Sequence, residues 1–527
     1  MGCLSCGTWK VAESASYLWD NLCAGCVMST NIFFNIAILK LATIAAGCRP
    51  EGGDDDGACT AHVYGLKPSS FVTTVVMVGQ MSAAIAMPFV GAAVDYTDSR
   101  RWFGAASAWV LAVTTLLQSM ITFRKTWVVV AAMQVVSIAS YICHQVAVLS
   151  YLPGLSVVVA GADGQGATED DHERYRVNSM ANVVALGAQM GTLAVVVALA
   201  AGLGLGDVDT AALGQFSVGV TLFVVYGVIW QKRAPCSFTE AKATKVLPRG
   251  ATLAGVAVRE VRDAWRTIRA AHRVFLPSFL PSFLPSFLPS FLLLLRSPLF
   301  SPLGARSPDA GKFLAGYALV NGGMTGFGSL AVVFMNDHLK MDSSFTVYVV
   351  GLTIVFAVPA AAMAIRLMDA VGARRAFVGS IVYMTAVTFA APVVLCGKRC
   401  ADLVFLFAFL WGVGFGVFYA SNTSFFTELV PPDAVSQFMS LYYFAAQILS
   451  WAPPAVYTLL NQLTSETHLS LFVLAAFFAA SLPFFHAIPS DAARSRKVPR
   501  TPSDEPINAP RGAGGLSVAG IETHDVL

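Results

Sequence analysis

Charge is scarce in this chain. Asp, Glu, Lys and Arg make up 12% of its 527 residues, about half the share usual in soluble domains. Hydrophobic residues make up 56%, and the mean hydropathy is +0.65. A water-soluble core cannot hide that much apolar surface, so the bilayer must be the solvent. The net charge of +3 is too small to recruit a nucleic acid. Catalytic signatures are missing as well. There is no Gly-rich phosphate loop with its Lys, no His-Glu-x-x-His and no Cys/His set at metal-ligand spacing. An enzyme, a nucleotide-driven pump, a resident metal and a cofactor are therefore not expected. Gly412-Val-Gly414-Phe-Gly416 is glycine-rich but lies inside an apolar run, where it permits close helix packing. A cleavable signal peptide is not expected either, because Met1–Glu13 lacks both an apolar core and a basic cluster ahead of one.

A membrane-crossing helix needs about 20 mostly apolar residues. The sequence offers twelve such runs, at 18–46, 69–94, 102–123, 127–152, 177–203, 211–231, 312–335, 344–368, 375–396, 401–423, 435–460 and 467–488. The expected fold class is thus an all-α polytopic membrane protein. A cytoplasmic N-terminus (1–17) precedes a first six-helix bundle (18–231). A polar central linker (232–311) separates it from a second bundle (312–488), and a disordered cytoplasmic tail (489–527) follows. Basic residues concentrate in the linker and tail, which places both on the cytoplasmic side. Within the linker, Leu253, Ala257, Val261, Trp265, Ile268 and Phe275 recur at helical spacing among Arg259, Arg262, Arg266, Arg269 and Arg273. That pattern fits a basic amphipathic helix, either on the inner membrane surface or packed under the bundle.

Residues 275–295 repeat Phe-Leu-Pro-Ser. Proline at every fourth position forbids a regular helix. Tandem TTCC encodes this same tetrapeptide in every frame, so the segment reads as translated simple-sequence DNA, an expansion or a retained intron. Cysteines are less telling. Cys48 and Cys59 flank an acidic loop, and Cys396 and Cys400 flank a shorter one. Both pairs can form disulfides in an oxidising lumen, and free thiols fit equally well.

One charged pattern occurs twice, each time after an apolar span. The first copy is Gly91-Ala-Ala-Val-Asp95-Tyr-Thr-Asp98-Ser-Arg100-Arg101. The second is Asp369-Ala-Val-Gly372-Ala-Arg374-Arg375. In each, an Asp precedes an Arg pair by five and six residues, between the second and third spans of its half. Charges at a membrane edge are costly and must be matched, so repetition points to duplicated halves that rock against one another. Gly91, four residues before Asp95, is expected to allow close helix approach.

This arrangement resembles the major facilitator superfamily, whose loop between helices two and three carries Gly-x-x-x-Asp-x-x-Gly-x-Arg-Arg. Here Asp98 replaces the second Gly of the first copy, and Ile365 the first Gly of the second. Further motifs are similar to the vacuolar effluxer, autophagy-related branch. They are Leu429-Val-Pro431, Phe438-Met-Ser-Leu441-Tyr442-Tyr443, Ser450-Trp451-Ala-Pro453, Tyr151-Leu152-Pro153 and Arg176-Val-Asn178. Ser440 stands where that branch has Gly. The resemblance implies two pseudo-symmetric six-helix bundles around a midplane cavity, alternating access, and export of amino acids from a vacuole or lysosome-like compartment. Gly91, Asp95, Arg100, Arg101, Asp369, Arg374 and Arg375 would form the gating motif.

Polar residues inside spans must find partners or line water. Asn35, His144, Gln145, Asn321 and Asn422 fall on the first, fourth, seventh and tenth spans, which line the path if the resemblance holds. Asp20, His144 and Glu428 are the candidates for responding to protons, imidazole being the side chain that titrates nearest neutrality. Lys40 and Asp20 share a span but lie too far apart to pair, so each should meet another helix. Expected partners are a small-molecule substrate, an amino acid foremost, with protons and the lipid bilayer. A carrier for a sugar, peptide or lysolipid and a non-transporting receptor or scaffold stay open alternatives, as does residence in the plasma membrane.

Overall fold

In a computed structural model of the chain, the described residues are 12–48, 61–122, 126–151, 167–231, 237–238, 252, 255, 308–341, 343–395, 397–430, 435–464 and 468–489. The repeat at 275–295 and the tail from Ser490 lie outside them. So does the amphipathic stretch 253–275, apart from Gly255. With no water in the bilayer to satisfy backbone groups, a spanning chain must bond internally, and this one does so as helix.

The first half comprises α1 (Ala12–Ala45), α2 (Pro68–Tyr96), α3 (Arg100–Gln118), α4 (Trp127–Leu149), α5 (Ala167–Leu203) and α6 (Asp207–Ile229). The second comprises α7 (Pro308–Val333), α8 (Ser343–Val371), α9 (Ala373–Val394), α10 (Val404–Leu429), α11a (Val435–Ile448), α11b (Ala452–Thr464) and α12 (Leu469–His486). Among the described residues, 11 helices are long and apolar enough to cross a membrane. The twelfth crossing, expected as one span over 435–460, is split into α11a and α11b. Pro453 and Pro454 enter the first turn of α11b without N–H donors. Three hydrogen bonds close the break locally. Ser450 N donates to Gln447 O at 3.1 Å and Ala452 N to Leu449 O at 3.0 Å. The Trp451 indole Nε1 donates to Ile448 O at 2.9 Å.

The neighbour pattern is duplicated. Within the first half α1 packs on α5 and α6, α2 on α4, and α3 on α4 and α6. Within the second, α7 packs on α11 and α12, α8 on α10, and α9 on α10 and α12. Between halves the most extensive contacts are α2 with α11 and α5 with α8, again an equivalent pair, with smaller ones from α1 and α2 to α7. The apolar stretches of α1 and α7 are 83% and 89% buried, against 17–44% for the other spans. These two helices are therefore innermost, and the others turn apolar faces such as Val195, Leu199 and Val224 outward.

Glycines set several close approaches. A Cβ on Gly412 would lie 2.5 Å from Thr353 O, and one on Gly416 2.3 Å from Ala357 O, so the glycine run of α10 lets it lie against the α8 backbone. By contrast, a Cβ on Gly91 would meet nothing within 4 Å. Close helix approach is not what Gly91 provides here. The two copies of the charged pattern turn differently. Gly372 adopts φ +87°, a left-handed conformation that suits glycine. Asp98, its counterpart, keeps ordinary backbone. The first turn is laced by hydroxyls instead: Thr97 Oγ1 bonds Ala93 O at 2.5 Å and pairs with Ser99 Oγ.

Candidate solute path and buried polar sites

Helix α1 is ringed by α2, α4, α5, α6, α7 and α8, yet it is not sealed on every face. Met28 is 48% exposed, and Asn21, Asn31 and Asn35 are half-buried. Positions 28, 31 and 35 share one helical face. On a helix enclosed by others, such a stripe is the candidate lining of a solute path. On α7, Thr325 is half-buried and Gly328 exposed, and on α10 Tyr419 is 37% exposed.

Amides dominate this lining. Gln118 Nε2 on α3 donates to Gln134 Oε1 on α4 at 2.7 Å. Gln134 Nε2 in turn donates to Asn31 Oδ1 at 3.2 Å. Gln118 and Gln134 are buried, so the chain of amides carries polarity from the bundle interior to the open stripe. Sequence reasoning missed both glutamines; their only signal was a polar residue within an apolar span. Asn35 Oδ1 and Gln145 Nε2 have no hydrogen-bond partner among the described residues. Buried polar atoms normally do, so water or a bound solute is the natural complement.

In the second half Asn321 faces the α11 break. Its Nδ2 donates to Ala446 O at 2.7 Å, a carbonyl freed because Ser450 N bonds Gln447 instead. A Cβ on the adjacent Gly322 would sit 2.8 Å from Leu449 O. Asn422 Nδ2 reaches Tyr317 OH at 3.4 Å, and Tyr317 stacks on Tyr442 of α11a with ring centroids 4.4 Å apart. Asn321 and Asn422 are thus held by neighbours, while Asn35 and Gln145 keep unpartnered atoms. Glu428 is exposed near the end of α10, apart from the amide-lined stripe.

Asp20 and His144, read separately in the sequence, are joined. His144 Nε2 lies 2.7 Å from Asp20 Oδ1, with both side chains 0% exposed. His144 Nδ1 lies 3.1 Å from Gly104 O and 3.2 Å from Ser107 Oγ. The rings of Tyr226 and Trp230 pack 5.2 and 5.7 Å from the imidazole. Lys40 finds its partner on another helix, Asp207 Oδ2 at 3.0 Å.

The arginine turns cap helix ends. Arg101 donates to Trp230 O at 2.7 Å, beyond the last turn of α6, and Arg374 to Phe485 O at 3.4 Å in the last turn of α12. Arg100 donates to Ser150 O at 3.0 Å and lies over the Tyr151 ring. A cation at a helix C-terminus is favourable, and each of these contacts stays within its own half. Arg375 is exposed. The side chains of Asp95 and Asp369 fall outside the described set.

The halves meet along α2 and α11 at two levels. At the end opposite the arginine turns, Lys67 Nζ donates to Asn461 O at 2.5 Å. Asn461 Nδ2 donates to Ser69 and Ser70 Oγ at 3.1 and 2.9 Å, and Thr73 meets Thr458 at 2.7 Å. Towards the arginine end, Phe444 of α11a packs against the buried cluster of Ala83 and Met87 of α2 and Ile142 of α4. Cys48 is disulfide-bonded. Cys59, Cys396 and the Cys400 side chain lie outside the described set. Among the described residues no three His, Cys, Asp or Glu gather to hold a metal.

No curated protein matches the chain in sequence. Solved structures do match it in fold. A D-xylose–proton symporter superposes with TM-score 0.58 and 11% identity, over 91% of this chain and 98% of that one. The human organic anion transporter MFSD10 (TETRAN) gives 0.56 and 10%, over 90% and 99%. A bacterial homologue of the iron transporter ferroportin, outward-facing with soaked iron, gives 0.52 and 13%, over 92% and 100%. At such identities the likeness carries the fold alone, which is that of the major facilitator transporters. The profile of the vacuole effluxer Atg22-like family matches residues 9–285 and 305–498. Eleven membrane-length helices among the described residues, a duplicated neighbour pattern, an amide-lined interior and that match lead to one statement: the chain is a membrane transporter, not an enzyme, and belongs to the vacuole effluxer Atg22-like family.

Proposed function

We propose that this transporter moves small, net-neutral amino acids out of a vacuole or lysosome-like compartment by alternating access. The observation that carries the solute class is the lining. The stripe on α1 offers Asn31 and Asn35, and α7 and α10 leave Thr325 and Tyr419 partly exposed, all four of them uncharged. Moving a net charge through such an interior without a counter-charge is costly. A zwitterion presents matched charges and several hydrogen-bonding groups, which amide side chains satisfy as both donors and acceptors. The direction and compartment rest on family membership.

In this reading the halves rock about the midplane. Asp95, Arg100 and Arg101 with Asp369, Arg374 and Arg375 tune the inner face, and the Lys67–Asn461 contacts close the opposite one. The deciding experiment compares metabolites in organelles isolated with and without the protein. Neutral amino acids accumulating in its absence support export, and their depletion reverses the direction. A change confined to sugars, peptides or lysolipids overturns the solute class.

A further inference from the structure

We infer that the Asp20–His144 pair is a proton-carrying site that holds one transferable proton when closed. This rests on the transport reading above and adds its energy coupling. The argument starts from hydrogen-bond bookkeeping at the imidazole. Gly104 O, 3.1 Å from Nδ1, can only accept. Ser107 Oγ, 3.2 Å from Nδ1, lies 2.8 Å from Phe103 O and 3.0 Å from Gly104 O, so its own hydrogen is committed to backbone carbonyls. Both neighbours therefore require a hydrogen on Nδ1. The 2.7 Å contact between Nε2 and Asp20 Oδ1 then holds a single proton. Imidazolium with carboxylate, and imidazole with carboxylic acid, are the same protonation state, and both are neutral overall.

The surroundings make that proton consequential. Among the described residues, the titratable groups that interact with the pair are Tyr17 and Cys23 on α1, Tyr141 on α4 and Tyr226 on α6, all neutral when protonated. Arg101 on α3 turns its guanidinium to Trp230 O. Among the described residues no Lys or Arg forms an ion pair with Asp20. When the proton leaves to water, a carboxylate and a neutral imidazole bearing Nδ1–H remain, with one net negative charge. Closing the site around that charge is strongly disfavoured, because nothing in the pocket repays its desolvation. Closure thus requires the proton, and the proton exchanges only when water enters.

Two further features separate a carrier from a clasp. Among the described residues Asp20 Oδ2 is buried without a hydrogen-bond partner, whereas a carboxylate used only to tie helices together is normally satisfied at both oxygens. The residues beside the pair also offer water an entrance. Asn21 on α1 and Tyr141 and Gln145 on α4 are half-buried, and Gln145 Nε2 is unpartnered.

The test uses the full chain in lipid vesicles that enclose a pH-sensitive dye, with a mixture of labelled amino acids as the probe. Wild type is expected to move protons together with amino acids. Asp20→Asn should keep amino-acid counterflow and lose the dye response by roughly tenfold or more. Counterflow in wild type with no dye response overturns the proton site and leaves the transport reading standing, as does Asp20→Asn retaining both. Absence of counterflow for every amino acid overturns the solute class instead. The pair is then read without solute, by infrared difference spectra between acid and alkaline pH. A carboxyl and imidazole signal present in wild type and missing in Asp20→Asn supports the site, and identical spectra overturn it. Should Asp20→Asn fail to fold, His144→Gln is read in the same way.

Discussion

Asn321 and Gly322 show how single residues hold the second half in shape. Asn321 satisfies the Ala446 carbonyl released by the α11 break. Asn321→Ala strands that buried acceptor, a loss of about 1–3 kcal/mol. It should lower the thermal transition of the solubilised protein and slow transport, and Asn321→Gln should recover part of both. Gly322→Ala drives a methyl into the Leu449 carbonyl. That atom is backbone and cannot rotate aside, so destabilisation of about 1–3 kcal/mol is expected in the same melting assay. Sequence reading reached these residues unevenly. Asn321 stood out as a polar group in an apolar span, but its acceptor did not, because that carbonyl is exposed only by a bend made elsewhere in the chain. Asp20 and His144 were visible one by one; their 2.7 Å contact joins positions 124 residues apart, and no local pattern records it.

Among the elements, α11 departs most from expectation. Length and apolarity predicted one helix over 435–460, and the structure has two. The prolines at 453 and 454 were legible; where the chain would break was not, because Pro359 and Pro392 sit inside α8 and α9 without breaking them. The difference is local. Two adjacent missing donors cannot be bridged by one turn, and Ser450 and Trp451 supply substitute bonds just before them. Replacing both prolines by alanine restores two N–H donors and should straighten the crossing. Thermal stability is expected to rise by a few degrees while turnover falls, measured side by side on melting and counterflow. A fall in both would mean that the break is only a packing feature. The turns between spans teach a related lesson. One charged pattern served twice, yet Gly372 turns by left-handed backbone and Thr97–Ser99 by hydroxyl bonds. The pattern identifies the place, and the local residues choose the means.

For the whole molecule, the duplicated neighbour pattern explains why the fold was legible from hydropathy and one repeated motif. Each half solves the same packing problem, and the bilayer fixes the element type. The relation between the halves was not legible, because it depends on contacts such as Lys67 with Asn461, 394 residues apart. Lys67 is 7% exposed, and a charge-assisted bond of this kind is worth about 1.5–3 kcal/mol. Lys67→Met should therefore shift the balance between closed and open forms by roughly 10- to 100-fold towards opening at that end. A cysteine placed at Ser70 in the Lys67→Met background should react faster with a membrane-impermeant maleimide than in the parent. Unchanged labelling would mean that this contact does not gate the path.

The two seams joining the halves are mechanically unequal. The α5–α8 seam pairs two unbroken helices of 37 and 29 residues, with Gly351 admitting Leu193 at close range. The α2–α11 seam is cut at its middle. A stiff edge opposite a jointed one behaves as a pivot facing a swinging leaf. Displacement should be smallest beside α5 and α8 and grow towards α2 and α11, so a departing molecule would slip out along the jointed edge. Spin labels across both edges would then report a wide distance spread at one and a narrow one at the other.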